Sequence, residues 1–195
     1  EEDFWDGPFH DSVIGYGSSK KIQLIAQHAY YKQYGVEANH LILTNLYGPH
    51  DVFTEYRSHV VAALIKKFSD HARAEAPSIS LWGDGTDVRE FIYVEDVAEA
   101  ILQSVPLPHD LQPMNIGTGV GTSIKELAEL TASAIGFKGE LQWDTSQPNG
   151  VPRKVLDIAK MQKVLPAFKP RSFEIGLRET VDWYTANKRS ADLRQ

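Results

Sequence analysis

Two neighbouring segments decide the fold class: the apolar run Leu41-Ile42-Leu43-Thr44-Asn45-Leu46, and the segment before it, residues 16–34, whose apolar residues have helical spacing. The run is nearly continuous and is closed by Gly48-Pro49, which predicts a strand buried on both faces within a parallel sheet. In the helical pattern, apolar residues recur every three or four positions, and Gly35 supplies a stop. The apolar residues at helical spacing are Ile22, Ile25, Ala26, Ala29 and Tyr30. A helix followed by a buried strand is half of a doubly wound α/β unit.

The rest of the chain alternates in the same way. Apolar periodicity predicts helices over residues 57–74, 95–105, 123–136, 158–165 and 172–187. Short apolar runs predict strands over 113–116, 141–143 and 154–156, and a hairpin of 79–82 with 90–94 around Gly83-Asp84-Gly85. The predicted fold class is therefore α/β, as the carboxyl-terminal part of a Rossmann-like parallel sheet with a smaller α/β substrate-binding lobe.

Composition narrows the class of function. The 195 residues carry a formal net charge of -6, which argues against a nucleic-acid surface. The chain contains no cysteine, so it has neither a disulfide framework nor a thiolate metal site, and no HExxH spacing indicates a metal. We find no apolar run long enough for a membrane span and no basic signal-like start. These observations predict a cytoplasmic enzyme or binding protein without a metal.

Tyr16 and Lys20 lie four residues apart at the start of the predicted helix, so they share one face. An ammonium beside a phenol favours the phenolate, and we expect it to lower the pKa of the tyrosine. Such a tyrosine can exchange a proton with a sugar hydroxyl or carbonyl. Tyr184 and Lys188 repeat the spacing, and we interpret them as a solvated face of the last helix.

Other candidates have structural alternatives. Asn45 lies at the carboxyl end of the predicted strand, where α/β folds bind ligands. The alternative is that its side-chain amide only stabilises the turn. His59 could be a helix cap, and Arg89 could form a surface ion pair instead of holding a phosphate. The glycine turn at 117–121 has the wrong spacing for a dinucleotide fingerprint, and we interpret it as structural.

Several motifs occur in order along nearly the whole chain: Tyr16-x-x-x-Lys20, residues 44–51 (TNLYGPHD), Ser58-His59-Val60, residues 82–91 (WGDGTDVREF), residues 115–119 (NIGTG) and Pro152-Arg153-Lys154. Together they resemble the extended short-chain dehydrogenases that act on nucleotide sugars. The resemblance implies an NADP(H)-dependent epimerase and reductase that acts on a nucleotide sugar, with a GDP-sugar favoured. It also implies a homodimer formed through the helix that begins at Tyr16.

The resemblance implies a role for individual residues. Tyr16 would be the proton donor and acceptor, Lys20 would lower its pKa and touch the nicotinamide ribose, and His59 would be the acid in epimerisation. The cofactor side would comprise Tyr16, Lys20, Leu43, Thr44, Asn45, Leu46 and His59. The nucleotide sugar would be held by Asn45, Lys67, Trp82, Arg89 and Lys154. Lys67 stands where bacterial relatives carry arginine, and Asn149 stands where relatives carry an acid, so Asn149 receives no role.

The resemblance also implies parts that this sequence lacks. The glycine-rich nucleotide-binding segment, a catalytic serine or threonine, and a cysteine base would precede Glu1. We therefore expect residues 1–195 to be one carboxyl-terminal fragment, inactive alone. Residues 1–48 and 84–105 would belong to the Rossmann side, and the remainder mostly to the nucleotide-sugar lobe.

Two other functions fit the same residues. A nucleotide-sugar 4-epimerase or 4,6-dehydratase would use the same tyrosine and lysine without needing His59. A non-catalytic dinucleotide sensor or scaffold would share the fold, although retention of both Tyr16 and Lys20 disfavours it.

Overall fold

The computed structural model describes residues 1–7, 13–54, 57–110, 112–147 and 149–194. A short 3-10 helix (Glu2–Trp5) precedes the helices and strands. The α-helices are α1 (Ile14–Tyr34), α2 (Val60–Arg73), α3 (Val94–Ser104), α4 (Ile124–Ile135), α5 (Ala159–Val164) and α6 (Phe173–Ala191). The strands are β1 (Leu41–Leu43), β2 (Asn45–Tyr47), β3 (Ser78–Trp82), β4 (Val88–Tyr93), β5 (Met114–Ile116), β6 (Gly121–Ser123), β7 (Glu140–Asp144) and β8 (Arg153–Lys154).

Most strand pairs are parallel. β1 pairs with β5, β2 and β8 each pair with β4, and β3 pairs with β7, all in parallel, whereas β6 joins β4 antiparallel. Parallel strands joined through helices confirm the predicted α/β class. Among the described residues, no helix is both long and apolar enough to cross a bilayer.

The predicted strand over residues 41–46 is two strands. The chain breaks at Thr44, whose backbone N–H still bonds to Ile116 in β5, and β2 then pairs with β4 instead. Burial on both faces was wrong, because Leu43 and Asn45 are exposed. Leu43 and Asn45 therefore form an exposed strip where β1 ends and β2 begins.

The predicted hairpin of residues 79–82 with 90–94 was also wrong. β3 pairs with β7, and β4 pairs with β2, β6 and β8, so the two strands enter different sheets. Gly83 and Gly85 both have positive φ, at 77° and 75°, a conformation that glycine adopts without strain. The turn thus redirects the chain between sheets instead of folding it back on itself.

The helix ends agree with the local sequence signals. Gly35 ends α1 and Gly136 ends α4, both in the left-handed conformation. Ser123 precedes α4 and accepts a hydrogen bond from the Glu126 N–H, which is the geometry of a capping box. Ser172 caps α6 in the same manner, accepting from Ile175.

Two apolar clusters hold the fold together. The larger one packs α2, α4 and α6 against β2, β3 and β4, around the fully buried Phe53, Phe68 and Tyr184. The smaller one joins α3 and α5 to β4 and β5 through Ile92, Ile116 and neighbours. Tyr184 and Lys188 are thus not a solvated face, because the ring lies inside the core and the ammonium is largely covered.

Helix α1 is the exception to this packing. Leu24 is its buried residue within the described part of the chain. The apolar positions that reveal the helix in the sequence are all exposed: Ile22, Ile25, Ala26, Ala29 and Tyr30. Periodicity therefore predicted the helix correctly, while the face that it defines stays exposed among the residues that the structure describes.

Candidate functional site

Tyr16 and Lys20 lie side by side in the first two turns of α1. The Lys20 Nζ lies over the Tyr16 ring, 5.3 Å from its centroid, so the ammonium faces the aromatic ring. Tyr16 is 70% exposed, and small Ser18 and Ser19 follow it. The predicted pairing is confirmed, and the phenol is open to a ligand.

The charge of Lys20 also reaches the residue that precedes β1. Burial, and then the nearby Lys20 ammonium, lowers the pKa of His40 below its usual value. Among the described residues, neither Tyr16 nor Lys20 forms a hydrogen bond or ion pair with Thr44 or Asn45. The reactive pair and the strand residues are therefore not joined directly.

Thr44 and Asn45 form a polar group at the break between β1 and β2. The Thr44 hydroxyl and the Asn45 amide both donate to the backbone carbonyl of Glu90, at 3.2 Å and 2.7 Å. This hydrogen bond fixes the Asn45 side chain, although the residue is exposed. Leu43 and Leu46 lie on either side of Thr44 and Asn45 in the sequence. The carboxyl end of a parallel strand is where such folds bind ligands.

His59 is the N-cap residue of α2, which agrees with the predicted cap alternative, although its side chain makes no capping hydrogen bond. Its side chain is 78% exposed, and its Nδ1 lies 3.8 Å from the carboxylate of Asp51. His59 is therefore open to a ligand and has an acidic neighbour. Within the described residues it forms no hydrogen bond or ion pair with Tyr16 or Lys20, so the three predicted catalytic residues are not joined directly.

The turn after β3 presents an aromatic side chain to solvent. Trp82 is 75% exposed at the end of β3. The next residues turn sharply, and the Asp84 carboxylate accepts from the Thr86 N–H at 2.9 Å and from its hydroxyl. The Asn149 side chain accepts from the Asp84 N–H at 3.3 Å, which ties the segment 149–151 to this turn.

Arg89 lies on β4, beside the same segment. Its guanidinium donates to the carbonyl oxygens of Val88 and Val151, and it lies 3.2 Å from the Asp87 carboxylate. Lys154 on β8 is in register with Arg89, so two cations lie on adjacent strands. The predicted ion pair of Arg89 is confirmed, although it is mostly covered instead of lying on the surface, and the phosphate role of Arg89 stays a prediction.

Lys67 belongs to the same region through β3. Its ammonium, on α2, donates to the carbonyl of Ser80, two residues before Trp82. Four predicted substrate residues therefore gather around β3, β4 and β8: Lys67, Trp82, Arg89 and Lys154. The segment 149–151 connects the Trp82 turn to Arg89, which makes this region one surface.

Sequence reasoning missed Glu90, which is fully buried next to Arg89. Its carboxylate accepts backbone N–H groups from Thr118, Gly119 and Leu156, the last two at 2.9 Å and 2.7 Å. A Cβ at Gly117 would collide with this carboxylate, which explains the glycine in the turn at 117–121. The available signal was an acidic residue directly before the apolar stretch 91–94.

Asp87 was also missed, although it lies two residues before Arg89 and thus on the same face of the chain when extended. Asn149 received no role, yet its side chain helps to connect the surface. Among the described residues, no three His, Asp or Glu side chains form a group that could hold a metal ion.

The parallel sheets, the Tyr-x-x-x-Lys helix and the charged surface beyond the strands define a class of protein. A profile of the NAD dependent epimerase/dehydratase family matches residues 1–117. The chain belongs to this family.

Individual members of the family give a more specific comparison. The chain is 36% identical to GDP-L-fucose synthase of Escherichia coli over 96% of its own length and 61% of that protein. It is 38% identical to a probable GDP-L-fucose synthase 1 of Oryza sativa subsp. japonica, over 98% of this chain and 58% of that protein. The chain thus spans about three fifths of the length of these relatives.

A solved structure agrees with these relatives. The GDP-L-fucose synthetase of Naegleria fowleri bound to NADP superposes with a TM-score of 0.90 at 27% identity. The match covers 97% of this chain and 61% of that one. The Rossmann-like fold predicted from the sequence is confirmed.

Proposed function

We propose that this chain is the carboxyl-terminal part of a GDP-L-fucose synthase, an NADP(H)-dependent 3,5-epimerase and 4-reductase of GDP-4-keto-6-deoxy-D-mannose. The observation that carries the proposal is the placement of Arg89 and Lys154 in register on adjacent strands, linked through residues 149–151 to the exposed Trp82. Two cations suit a pyrophosphate, and an exposed indole suits a base. The names of the relatives support the choice of a GDP-sugar.

In this proposal, Tyr16 exchanges the proton of the sugar oxygen at carbon 4. Its side chain is exposed and open to a ligand, and the Lys20 ammonium lies over its ring. His59 supplies the proton in epimerisation; its side chain is 78% exposed, and its Nδ1 lies 3.8 Å from the Asp51 carboxylate. The cysteine base implied by the resemblance is not in this chain, so epimerisation needs a group from elsewhere.

The cofactor would lie along the exposed strip where β1 ends and β2 begins. Leu43 and Asn45 are exposed there, and Thr44 and Asn45 are fixed by the Glu90 carbonyl, so an apolar and a polar surface for a nicotinamide ring already exist. Leu43, Thr44, Asn45 and Leu46 would hold it, with Tyr16, Lys20 and His59 nearby. When bound, NADPH supplies the hydride.

We further propose that the exposed apolar face of α1 forms a homodimer. Ile22, Ile25 and Tyr30 are each more than half exposed on one helix, and such a patch usually marks an interface. Sedimentation of the longer enzyme should give a dimer that Ile25→Glu converts to monomer. A wild-type monomer would refute this assignment. The cytoplasmic location and the division into two lobes remain predictions from the sequence.

Calorimetric titration of GDP into this chain tests the proposed substrate surface. We expect saturable binding, weakened about tenfold or more by Arg89→Ala, because a charge-assisted contact to phosphate is lost. Arg178→Ala is the matched control, since Arg178 is exposed on α6. Absence of GDP binding, or equal affinity in the Arg89→Ala variant, would refute the proposal.

A further inference from the structure

The carboxylate of Asp87 holds two donors of the proposed nucleotide surface. One oxygen, Oδ2, lies 3.2 Å from the Arg89 guanidinium and accepts the Gly150 N–H at 2.8 Å. Both charged side chains are mostly covered, with 16% and 17% of their areas exposed. The ion pair is therefore shielded from solvent more than an ordinary surface pair.

A guanidinium together with a backbone N–H is also the donor set that proteins use to hold a phosphate oxygen. The Asp87 carboxylate thus occupies the two donors, the Arg89 guanidinium and the Gly150 N–H, that the phosphate of a ligand would also bind. A negative charge at this distance also cancels much of the attraction that Arg89 offers to a phosphate.

We propose that Asp87 is an internal competitor that sets the affinity of this surface for nucleoside diphosphates. The ligand must replace the Asp87 carboxylate on Arg89 and on the Gly150 N–H before its phosphate is fully bound. The inference rests on the proposed function, because it assumes that Arg89 binds the phosphates.

The variant Asp87→Asn separates charge from shape. The asparagine oxygen can take the place of Oδ2 and still accept from Gly150, so segment 149–151 keeps its anchor while the charge is removed. Glu129→Gln is the matched control, because it likewise replaces a carboxylate by an amide, and Glu129 is exposed on α4, outside the proposed surface. The probe is GDP, titrated into the 195-residue chain and its variants.

We expect Asp87→Asn to tighten GDP binding about three- to tenfold, and Glu129→Gln to change it less than about twofold. In an Arg89→Ala background, Asp87→Asn should have no such effect, because the competing partner is gone. Thermal melting of each variant checks that it is folded.

An unchanged or weaker affinity in a folded Asp87→Asn variant would overturn the inference. If Arg89→Ala still weakens GDP binding in that case, the proposed function stands and only the competitor role fails. If GDP does not bind the wild-type chain at all, the proposed function fails and the inference fails with it. Should Asp87→Asn not fold, Asp87→Ser provides the same comparison.

Discussion

Lys188 donates a hydrogen bond of 2.8 Å to the hydroxyl of Tyr184 across one turn of α6. That hydroxyl in turn donates to Asp192 at 2.7 Å, and Lys188 also pairs with Asp70 on α2. Burial, and then the bond to Asp192, raises the pKa of Tyr184 above its ordinary value. The same Tyr-x-x-x-Lys spacing therefore gives a buried clamp in α6 and an exposed pair in α1.

Tyr184→Phe tests the clamp. Removing a buried hydroxyl that serves two partners should lower the free energy of unfolding by about 1–2 kcal/mol, measured by urea denaturation. Tyr16→Phe is the control and should change stability by less than about 0.5 kcal/mol, because its ring is exposed. Equal effects from both variants would contradict the assignment.

The clamp should also make stability depend on pH. Burial acts to raise the pKa of Asp192, but hydrogen bonds from Lys188 and Tyr184 outweigh it, so the pKa lies below its usual value. Asp70 is shifted in the same direction, since bonds from Lys188 and Lys66 outweigh its burial. A carboxyl with a lowered folded pKa stabilises the fold above its unfolded pKa of about 4 and loses this contribution as pH falls through the folded value.

The free energy of unfolding should therefore fall as the pH decreases below about 5. Urea titrations of the wild type and of Asp192→Asn across this range measure the effect. The variant should lose less stability than the wild type on acidification. Parallel pH profiles would show that the clamp does not contribute.

Glu90→Gln tests the buried carboxylate beside Arg89. The amide has one oxygen where the carboxylate has two, so its NH2 group must face a backbone N–H of either Gly119 or Leu156. We expect a loss of about 2–3 kcal/mol in unfolding free energy. The exposed Glu129→Gln serves as the control, and no difference between the two would mean that Glu90 is not anchoring these loops.

Trp82→Ala tests base recognition separately from phosphate binding. Loss of stacking should raise the Kd for GDP about tenfold, with unfolding free energy within about 0.5 kcal/mol of the wild type, because Trp82 is exposed. Trp5→Ala, which removes another exposed indole, should leave the Kd unchanged. An unaltered affinity in Trp82→Ala would place the base elsewhere.

Local patterns predicted much of this structure, because they depend on neighbours in the chain. Gly35 and Gly136 mark helix ends, Ser123 marks a helix start, and residues 16 and 20 had to share a face. These local patterns could not predict which strands pair with one another. The turn at 83–85 looks like a hairpin, but long-range pairing of β3 with β7 decides its path.

The candidate site was only partly predictable for a similar reason. The family resemblance identified Lys67, Trp82, Arg89 and Lys154, and hydrogen bonds through residues 149–151 link the Trp82 turn to Arg89. Asp87 and Glu90 become significant through the Gly150, Thr118 and Leu156 backbone groups, which are distant in sequence. Spacing could not distinguish Tyr184 from Tyr16 either, because burial depends on what packs around a helix.

The proposed chemistry depends most on Tyr16, so the decisive measurement is reduction of the 4-keto sugar by NADPH in the longer enzyme carrying Tyr16→Phe. We predict that kcat falls at least about a hundredfold, because the proton donor is removed, while the Kd for GDP stays within about twofold. A Tyr16→Phe enzyme that reduces the sugar at the wild-type rate would contradict the account.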